Sequence, residues 1–272
     1  MNDLKIKSVK EAVELAIKFK NNWWRGQPLT YGSLIPKIYR NEYFNDFHQA
    51  FDPSKEFEII EKFKRFSPTL KSGLPDKENR LDWLILMQHY GAPTRLLDWT
   101  ESILVGLFFA VSKELKKDGE IWSMFPQELN LKAGLGEIFP LESSRILKFL
   151  AGEPSHTNPT ELADELKLKK MPDSPVAFYP TLGFPRMTSQ LSTFTIHPKI
   201  KEGKSINELI LEQNKLARYI IPSKFKKPIM DQLNILGISN RTLFQDLESL
   251  SKDIQLEFSN PLRKLWGQPE IK

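Results

Sequence analysis

The stretch that decides the fold is Gln88-His89-Tyr90-Gly91-Ala92-Pro93-Thr94-Arg95-Leu96-Leu97-Asp98-Trp99-Thr100. Apolar residues at helical spacing precede it, Gly91 suits the left-handed position just past a helix end, and Pro93 blocks continuation of the helix. Residues 95–99 are typical of a short strand. Residues 101–115 are apolar nearly all round, which predicts a buried helix. The pattern therefore predicts helix, turn, strand and helix, with polar side chains held beside a buried element.

The start of that second helix has two candidate caps. Asp98 lies three residues before Glu101, which is the spacing of a capping box. Thr100 is the other candidate, because a hydroxyl directly before the helix can accept from its first free amides.

Working outward, the remaining periodicities predict an α+β fold with a mixed sheet and packed helices. Further strands are expected at 22–25, 120–125, 176–179, 186–196 and 217–221, and helices at 8–20, 55–66, 205–216, 225–236 and beyond 240. We expect strand 95–99, helix 101–115 and strand 120–125 to form a β-α-β-like unit. The chain is interpreted as one domain over residues 1–272, with 126–175 as an insertion or cap and 205–272 as a C-terminal helical part.

Composition narrows the function classes. The 272 residues contain no cysteine, so disulfides and thiolate chemistry are excluded. The four histidines stand far apart in sequence, and we expect no bound metal. No apolar run approaches the length of a membrane span, and the first twenty residues lack the apolar region of a signal peptide, so we expect no membrane contact and a cytoplasmic location.

The net charge of +5 is concentrated in one segment. Residues 199–227 hold eight Lys/Arg against three Asp/Glu, and the rest of the chain balances. Such a segment can meet nucleic acid or another polyanion, or it can be a solvated surface. It contains few aromatic residues for base stacking, which weakens the nucleic-acid interpretation.

Arg25 is the most informative residue outside the central stretch. It lies at the end of a predicted strand, between two tryptophans and Gly26. One interpretation is an anion clamp, because a planar guanidinium suits phosphate or carboxylate, and Gly26 allows a ligand to approach the backbone. The other is an internal ion pair, for example with Asp98. The sequence leaves both open.

These motifs resemble the FRG domain, a bacterial and phage-associated domain named after a Phe-Arg-Gly-like motif. Here the motif is Trp24-Arg25-Gly26-Gln27, with tryptophan in place of phenylalanine. The central stretch and the following Leu104-Val105-Gly106-Leu107-Phe108-Phe109-Ala110 match the family pattern closely. Tyr179-Pro180 and residues 186–194 resemble its later segment. The resemblance suggests a setting in phage or host defence and leaves the activity open.

The order of the motifs also resembles ADP-ribosyltransferases of the Arg–Ser-Thr-Ser–Glu class. This second resemblance implies that Arg25 holds the pyrophosphate of NAD, that Thr100 corresponds to the hydroxyl strand, and that Gln190 lies in the region of the late acid. Gln190 departs from the pattern, since an amide cannot supply the negative charge that stabilises a ribosyl cation. The implied activity is an NAD-dependent ADP-ribosyltransferase or NAD glycohydrolase, with NAD as substrate and an unknown protein or nucleic-acid acceptor.

Together these interpretations predict that strands 23–25 and 95–99 are adjacent and that one cleft holds Arg25, His89, Arg95, Asp98 and Gln190. The expected catalytic residues are Gln190, His89 and Asp98. The expected cofactor-binding residues are Arg25, Gly26, Gln27, Tyr90, Thr94, Arg95 and Thr100. We expect His89 to orient groups or move protons, with a structural histidine as the alternative, and we expect Arg25 and Arg95 to bind an anion.

Other functions remain as alternatives. A Ser-His-Asp hydrolase built from His89, Asp98 and a nearby serine lacks the nucleophile elbow. A metal nuclease built on Asp98 and Glu101 has too few carboxylates, and no phosphate-binding glycine loop is present. A non-catalytic binding or interaction module is the main alternative to the NAD-using enzyme.

Overall fold

The structure is a computed structural model that describes residues 4–40, 53–136, 139–140, 144–153, 158–199 and 205–259. In these residues the strands are β1 (Leu4–Lys5), β2 (Trp23–Gln27), β3 (Leu96–Thr100), β4 (Gly119–Met124), β5 (Val176–Phe178), β6 (Ser192–Ile196) and β7 (Leu216–Ile221). The α-helices are α1 (Val9–Lys18), α2 (Pro53–Phe66), α3 (Arg80–His89), α4 (Ile103–Val111), α5 (Pro126–Lys132), α6 (Arg145–Ala151), α7 (Pro159–Glu165), α8 (Pro185–Ser189), α9 (Ile206–Leu209), α10 (Ser223–Ile235), α11 (Asn240–Phe244) and α12 (Leu247–Ser259). The predicted α+β class is confirmed.

The strands form one mixed sheet in the order β1-β7-β4-β2-β3-β6-β5. The pair β1–β7 is parallel and the other pairs are antiparallel. The prediction that the first Trp-Trp-Arg strand lies beside the central strand is confirmed, because β2 and β3 are neighbours. The predicted β-α-β-like unit is present in a split form. Strands β3 and β4 run in the same direction but lie on either side of β2, so α4 joins strands that do not pair.

Two separate apolar clusters pack on the same face of the sheet. Side chains alternate along a strand, so each strand contributes every second residue to this face. Around β4, β7 and β2, residues such as Trp24 and Ile121 pack against α1, α4 and α10. Around β3, β6 and β5, residues such as Leu96 and Phe194 pack against α2, α3 and α6. The sheet face is therefore covered by two groups of helices, with a boundary at β2 and β3.

The opposite face carries a cluster rich in tryptophan. Trp23, Trp99 and Trp122 pack there with Leu129 of α5 and Ile206 of α9. Residues 126–175, expected as an insertion or cap, thus supply α5 to this cluster and α6 to the cluster around α3. The C-terminal part is not wholly helical, because it also contains β7, which lies between β4 and β1 in the sheet.

The start of α4 differs from the prediction. Ser102 is its N-cap, with its hydroxyl accepting from the Val105 amide at 3.5 Å. Thr100 belongs to β3, where its hydroxyl accepts from the Ser102 amide at 3.0 Å. Neither Asp98 nor Thr100 caps the helix, because the strand extends through Thr100 and leaves Ser102 as the last non-helical residue.

Two predicted elements are shorter than expected. Residues 186–196 were expected to be strand, but Pro185 begins the short helix α8, Gln190 caps it, and β6 starts only at Ser192. Proline favours the first turn of a helix because its fixed φ is already helical. The predicted helix 205–216 also ends early, at Leu209, and a connection over residues 210–215 leads to β7.

The contact between α4 and β2 is unusually close. A Cβ built on Gly26 would lie 1.7 Å from the Gly106 carbonyl oxygen and 2.8 Å from the Ala110 nitrogen. A Cβ on Gly106 would lie 3.2 Å from the Cβ of Trp24. Two glycines facing each other therefore let the helix backbone rest on the strand, and this packing explains why Gly follows Arg25.

We predict that Gly26→Ala destabilises the fold by about 3 kcal/mol or more, because backbone atoms of α4 would have to move to admit one methyl group. Urea denaturation followed by circular dichroism measures the change. Gly183→Ala is the matched control, since no atom lies within 4 Å of its Cβ position. It should change the free energy of unfolding by less than about 0.5 kcal/mol. Equal stability of the two variants would contradict the close packing.

Candidate functional site

A cavity of about 340 Å³ lies at the boundary between the two groups of helices, and we call it the inner chamber. Its lining residues are Trp24, Arg25, Gly26, Pro28, Lys37, Ile85, Gln88, His89, Asp98, Trp99, Thr100, Phe109, Arg186, Met187, Gln190, Ser192 and Phe194. Three of them are permanent cations, Arg25, Lys37 and Arg186. Among the described residues that line the chamber, Asp98 is the one carboxylate. The balance of charge favours an anionic ligand.

Arg25 is both an internal partner and a wall of the chamber. Its Nη1 donates to the Asp98 backbone carbonyl at 2.7 Å and lies 3.6 Å from the Asp98 carboxylate. The Asp98 side chain is 52% exposed, whereas that of Arg25 is 15% exposed. Burial lowers the pKa of Arg25, and the Asp98 carboxylate opposes this shift. The ion pair expected as one alternative is present, and it leaves Asp98 open to the chamber.

Gln88 binds the same oxygen of the Asp98 carboxylate that lies near Arg25, and Thr94 orients Gln88. Gln88 Nε2 donates to Asp98 Oδ2 at 2.7 Å, and Gln88 Oε1 accepts from the Thr94 hydroxyl. An amide has one acceptor end and one donor end, so donation from Thr94 turns the Gln88 amino group toward Asp98. Thr94 is fully buried and also accepts from the Leu96 amide at 3.1 Å. It thus orients Gln88 and does not reach the chamber.

Thr100 and Gln190 join β3 to the C-terminal helices. The Thr100 hydroxyl donates to the Gln190 carbonyl at 2.6 Å, and Gln190 Nε2 donates to the Leu243 carbonyl in α11 at 3.1 Å. Ser189 Oγ donates to the same Leu243 carbonyl at 3.0 Å. Both Thr100 and Gln190 line the chamber, but the Gln190 amino group is directed to the backbone of α11.

His89 lies at the end of α3 in an environment that opposes its protonation. Burial lowers its pKa to about 4, and the nearby charges of Arg186 and Lys71 act in the same direction. Asp98 and Asp246 oppose the shift. The imidazole packs against Phe184 and Tyr90, with ring centroids 5.5 and 4.9 Å away. Burial outweighs the helix dipole, so His89 is neutral at pH 7.

Part of the predicted site lines the inner chamber. Six predicted residues line it: Arg25, Gly26, His89, Asp98, Thr100 and Gln190. Four predicted cofactor contacts lie elsewhere: Gln27, Tyr90, Thr94 and Arg95. Gln27 is buried on the other side of the sheet, where its Nε2 donates to Glu120 at 2.7 Å. Tyr90 is exposed on the far side of α3, beside an apolar groove that includes Phe66 and Leu70.

Arg95 has a structural role. It is fully buried, its Nε donates to Glu56 at 2.6 Å, and its Nη1 donates to the His197 carbonyl at 2.6 Å. The structure therefore places Arg95 away from Arg25 and the chamber, with its charge paired to Glu56. Arg95 and Asp98 are three positions apart in extended chain, and side chains at that spacing point to opposite faces.

Several lining residues were not predicted. Arg186, Lys37, Gln88 and Ser192 all border the chamber. Arg186 lies in the later segment that resembles the FRG domain, and this resemblance could have identified it as a candidate site residue. Lys37 carried no signal, because its position beside the Gly91 carbonyl, at 3.2 Å from Nζ, results from the fold of the loop after β2.

The basic segment 199–227 is not one solvated stripe. Lys226 is fully buried, and its Nζ donates to the carbonyls of Pro28, Lys113 and Glu114 at 2.7 to 3.1 Å. Arg218 lies 3.8 Å from buried Glu120. Residues 200–204, with two of the lysines, are outside the described residues.

Metal ligation and membrane crossing can be judged for the part of the chain that the structure describes. No group of three His, Asp or Glu side chains there is placed to hold a metal ion. His48 and His156 are outside this part. None of its helices has the length and apolarity that crossing a membrane requires.

Part of the chain matches the model of a known family. Residues 20–119 match the FRG domain. This confirms the resemblance seen in the sequence for the segment that holds both Trp24-Arg25-Gly26-Gln27 and the central stretch. The later segment that contains Arg186 and Gln190 lies outside the matched residues. Comparisons with curated proteins and with solved structures found no match.

We predict that Glu56→Gln and Arg95→Met each destabilise the fold by about 3–5 kcal/mol, because each leaves a buried charge without its partner. The double variant should recover much of this loss, which a double-mutant cycle in urea will measure. Neither change should affect binding of an anion in the chamber. A single variant that folds normally but loses anion binding would indicate that Arg95 takes part in binding the anion.

The pKa of His89 predicts a defined pH dependence. The unfolded chain binds a proton near pH 6.5, whereas the folded chain resists protonation until about pH 4. The stability contributed by neutral His89 is therefore complete above pH 6.5 and is lost as the pH falls to 4. His89→Gln should flatten this part of the stability profile, and NMR titration of the parent protein should give a pKa near 4. A titration midpoint above 6.5 would contradict the assignment.

Proposed function

We propose that the inner chamber binds the nicotinamide–ribose phosphate end of NAD and that the protein cleaves the bond between nicotinamide and ribose. The observation that carries the proposal is the half-exposed Asp98 carboxylate in a chamber that three cations line. Arginines recognise phosphate through a planar pair of donors, and Arg25 and Arg186 are available for this. The chamber volume falls within the range of small-molecule sites, at its lower end.

Asp98 is the group that suits the reacting centre. When the glycosidic bond breaks, nicotinamide leaves with the bonding electrons, and positive charge develops on the ribose. A fixed carboxylate stabilises that charge, as in glycosidases with an oxocarbenium-like transition state. Gln190, the residue expected in the position of the late acid, cannot do this because it is a neutral amide. Gln88 and Arg25 hold Asp98 in place, so its position does not depend on the ligand.

The leaving group also agrees with the state of His89. Nicotinamide departs as a neutral molecule, so no general acid has to protonate it. A neutral imidazole whose pKa is about 4 is a weak base, so His89 is suited to orient the ligand, and the proton of the attacking group passes to solvent. With water as that group, the products are nicotinamide, ADP-ribose and one proton. With a side chain or nucleotide of an acceptor, the ADP-ribosyl group is transferred. The acceptor is an unknown protein or nucleic acid.

A binding module without catalysis is the second candidate, and the Arg25–Asp98 pair favours it. An aspartate already neutralised by an arginine contributes less to a developing positive charge. In that case the chamber would bind a nucleotide and leave it intact. A phage- or host-defence role and a cytoplasmic location fit either candidate and rest on the FRG resemblance and the composition.

We predict that the purified protein releases nicotinamide from NAD, which chromatography of the products will detect. Asp98→Asn should lower the rate by a factor on the order of 10²–10³, the usual effect of removing one electrostatic stabiliser. Its NAD affinity should change less. Glu101→Gln is the matched control, because Glu101 is a nearby exposed carboxylate that does not line the chamber.

The outcomes separate the two candidates. Binding of NAD without release of nicotinamide would support the binding module. No binding of NAD at all, in a folded protein, would overturn both. Equal rates for Asp98→Asn and the parent protein would remove Asp98 from the mechanism.

A further inference from the structure

A second recess of about 750 Å³ adjoins the inner chamber, and we call it the outer lobe. Its lining residues are Gly26, Pro28, Phe109, Ser112, Lys113, Arg186, Asn240, Phe244, Lys252 and Gln255. Four of these, Gly26, Pro28, Phe109 and Arg186, also line the inner chamber. The two spaces thus lie side by side, with these four residues at their shared boundary.

Arg186 stands at that boundary, because it lines both the inner chamber and the outer lobe. Its guanidinium lies 4.4 Å from the centroid of the Phe244 ring, and its Nη1 donates to the His89 carbonyl at 3.3 Å. Within the described residues it forms no ion pair. Burial lowers its pKa, with Asp98 and Asp246 opposing the shift from a distance. A half-buried cation of this kind gains most from a ligand that brings negative charge to the boundary.

The outer lobe offers aromatic surface and polar groups beyond Arg186. Phe109 and Phe244 meet edge to face, with centroids 6.1 Å apart, and each ring is half-buried, so part of it faces solvent. Gln255 and Asn240 place amides at the same recess, and the Asn240 Nδ2 donates to Asp253 at 3.0 Å, which leaves its oxygen as the available acceptor. Flat aromatic surface with a neighbouring guanidinium is a common stacking platform for a nucleobase, and amides bind base edges.

We infer that the outer lobe holds the nucleoside at the non-reacting end of a dinucleotide, and that Arg186 binds the pyrophosphate between the two spaces. This inference rests on the proposed function, because it takes NAD as the ligand. It fixes the orientation: nicotinamide and its ribose lie beside Asp98, and adenosine lies between Phe109, Phe244 and α12. The inner chamber alone is small for two nucleosides, and the lobe supplies the remaining space.

The experiment measures the two halves of NAD separately by calorimetry, with AMP and nicotinamide mononucleotide as probes. Phe244→Leu should weaken AMP binding about tenfold, since stacking on one aromatic ring is worth about 1.4 kcal/mol at that ratio. It should change binding of nicotinamide mononucleotide less than twofold. Arg186→Lys keeps the charge and removes the planar fork, so it should weaken ADP binding about tenfold.

Two variants serve as matched controls. Phe225→Leu alters a half-buried aromatic of the same helical layer outside the lobe, and Arg241→Lys alters an exposed arginine of α11. Both should bind like the parent protein. If Phe244→Leu fails to fold, Phe109→Leu tests the same platform from α4.

The inference and the proposed function can fail independently. AMP binding that depends on Phe244, together with intact NAD after long incubation, would support the nucleoside site in the outer lobe and overturn the proposed cleavage of NAD. Nicotinamide release with a KM for NAD that is unchanged in Phe244→Leu and Arg186→Lys would support the proposed cleavage and overturn the nucleoside site in the outer lobe. Absence of AMP binding to the folded parent protein would also overturn the lobe.

Discussion

The approach of helix α4 to strand β2 is the constraint on which the rest of the structure depends. Gly26 and Gly106 face each other, so the helix backbone lies directly on the strand with no side chain between them. The contact sets the position of Phe109, which lies one turn further along α4 and borders both the inner chamber and the outer lobe. The glycine next to Arg25 is thus needed for packing. The same close contact fixes the backbone from which the Arg25 side chain extends.

The chamber exists because the sheet is wide and its helices form two groups. One group covers β1, β7, β4 and β2, and the other covers β3, β6 and β5. Where the groups meet, polar side chains of β3 and β6 remain uncovered, and the cations of Arg25, Lys37 and Arg186 surround them. An opening between two packed clusters is held rigid on both sides, which suits the positioning of a ligand.

Polar groups behind the chamber wall determine what the exposed ones can do. Thr94 turns Gln88, Gln88 and Arg25 hold Asp98, and Thr100 holds the backbone of Gln190. Glu56 and Arg95 neutralise each other out of reach of the chamber. The central stretch 88–100 therefore contains residues that line the chamber, residues that orient them and residues of the core. Alternation along the strand determines to which face each side chain points.

The sequence predicts the α+β class, the turn at Gly91, the adjacency of β2 and β3, and the grouping of Arg25, His89 and Asp98, which the structure places around one chamber. These follow from local patterns and from polar groups concentrated beside a buried helix. Tertiary structure decided the roles of Arg95, Gln27 and Tyr90, which point away from the chamber, and brought in Arg186 and Lys37 from distant segments. The reason is physical: spacing along the chain predicts which elements form, whereas the meeting of side chains depends on which faces those elements bury.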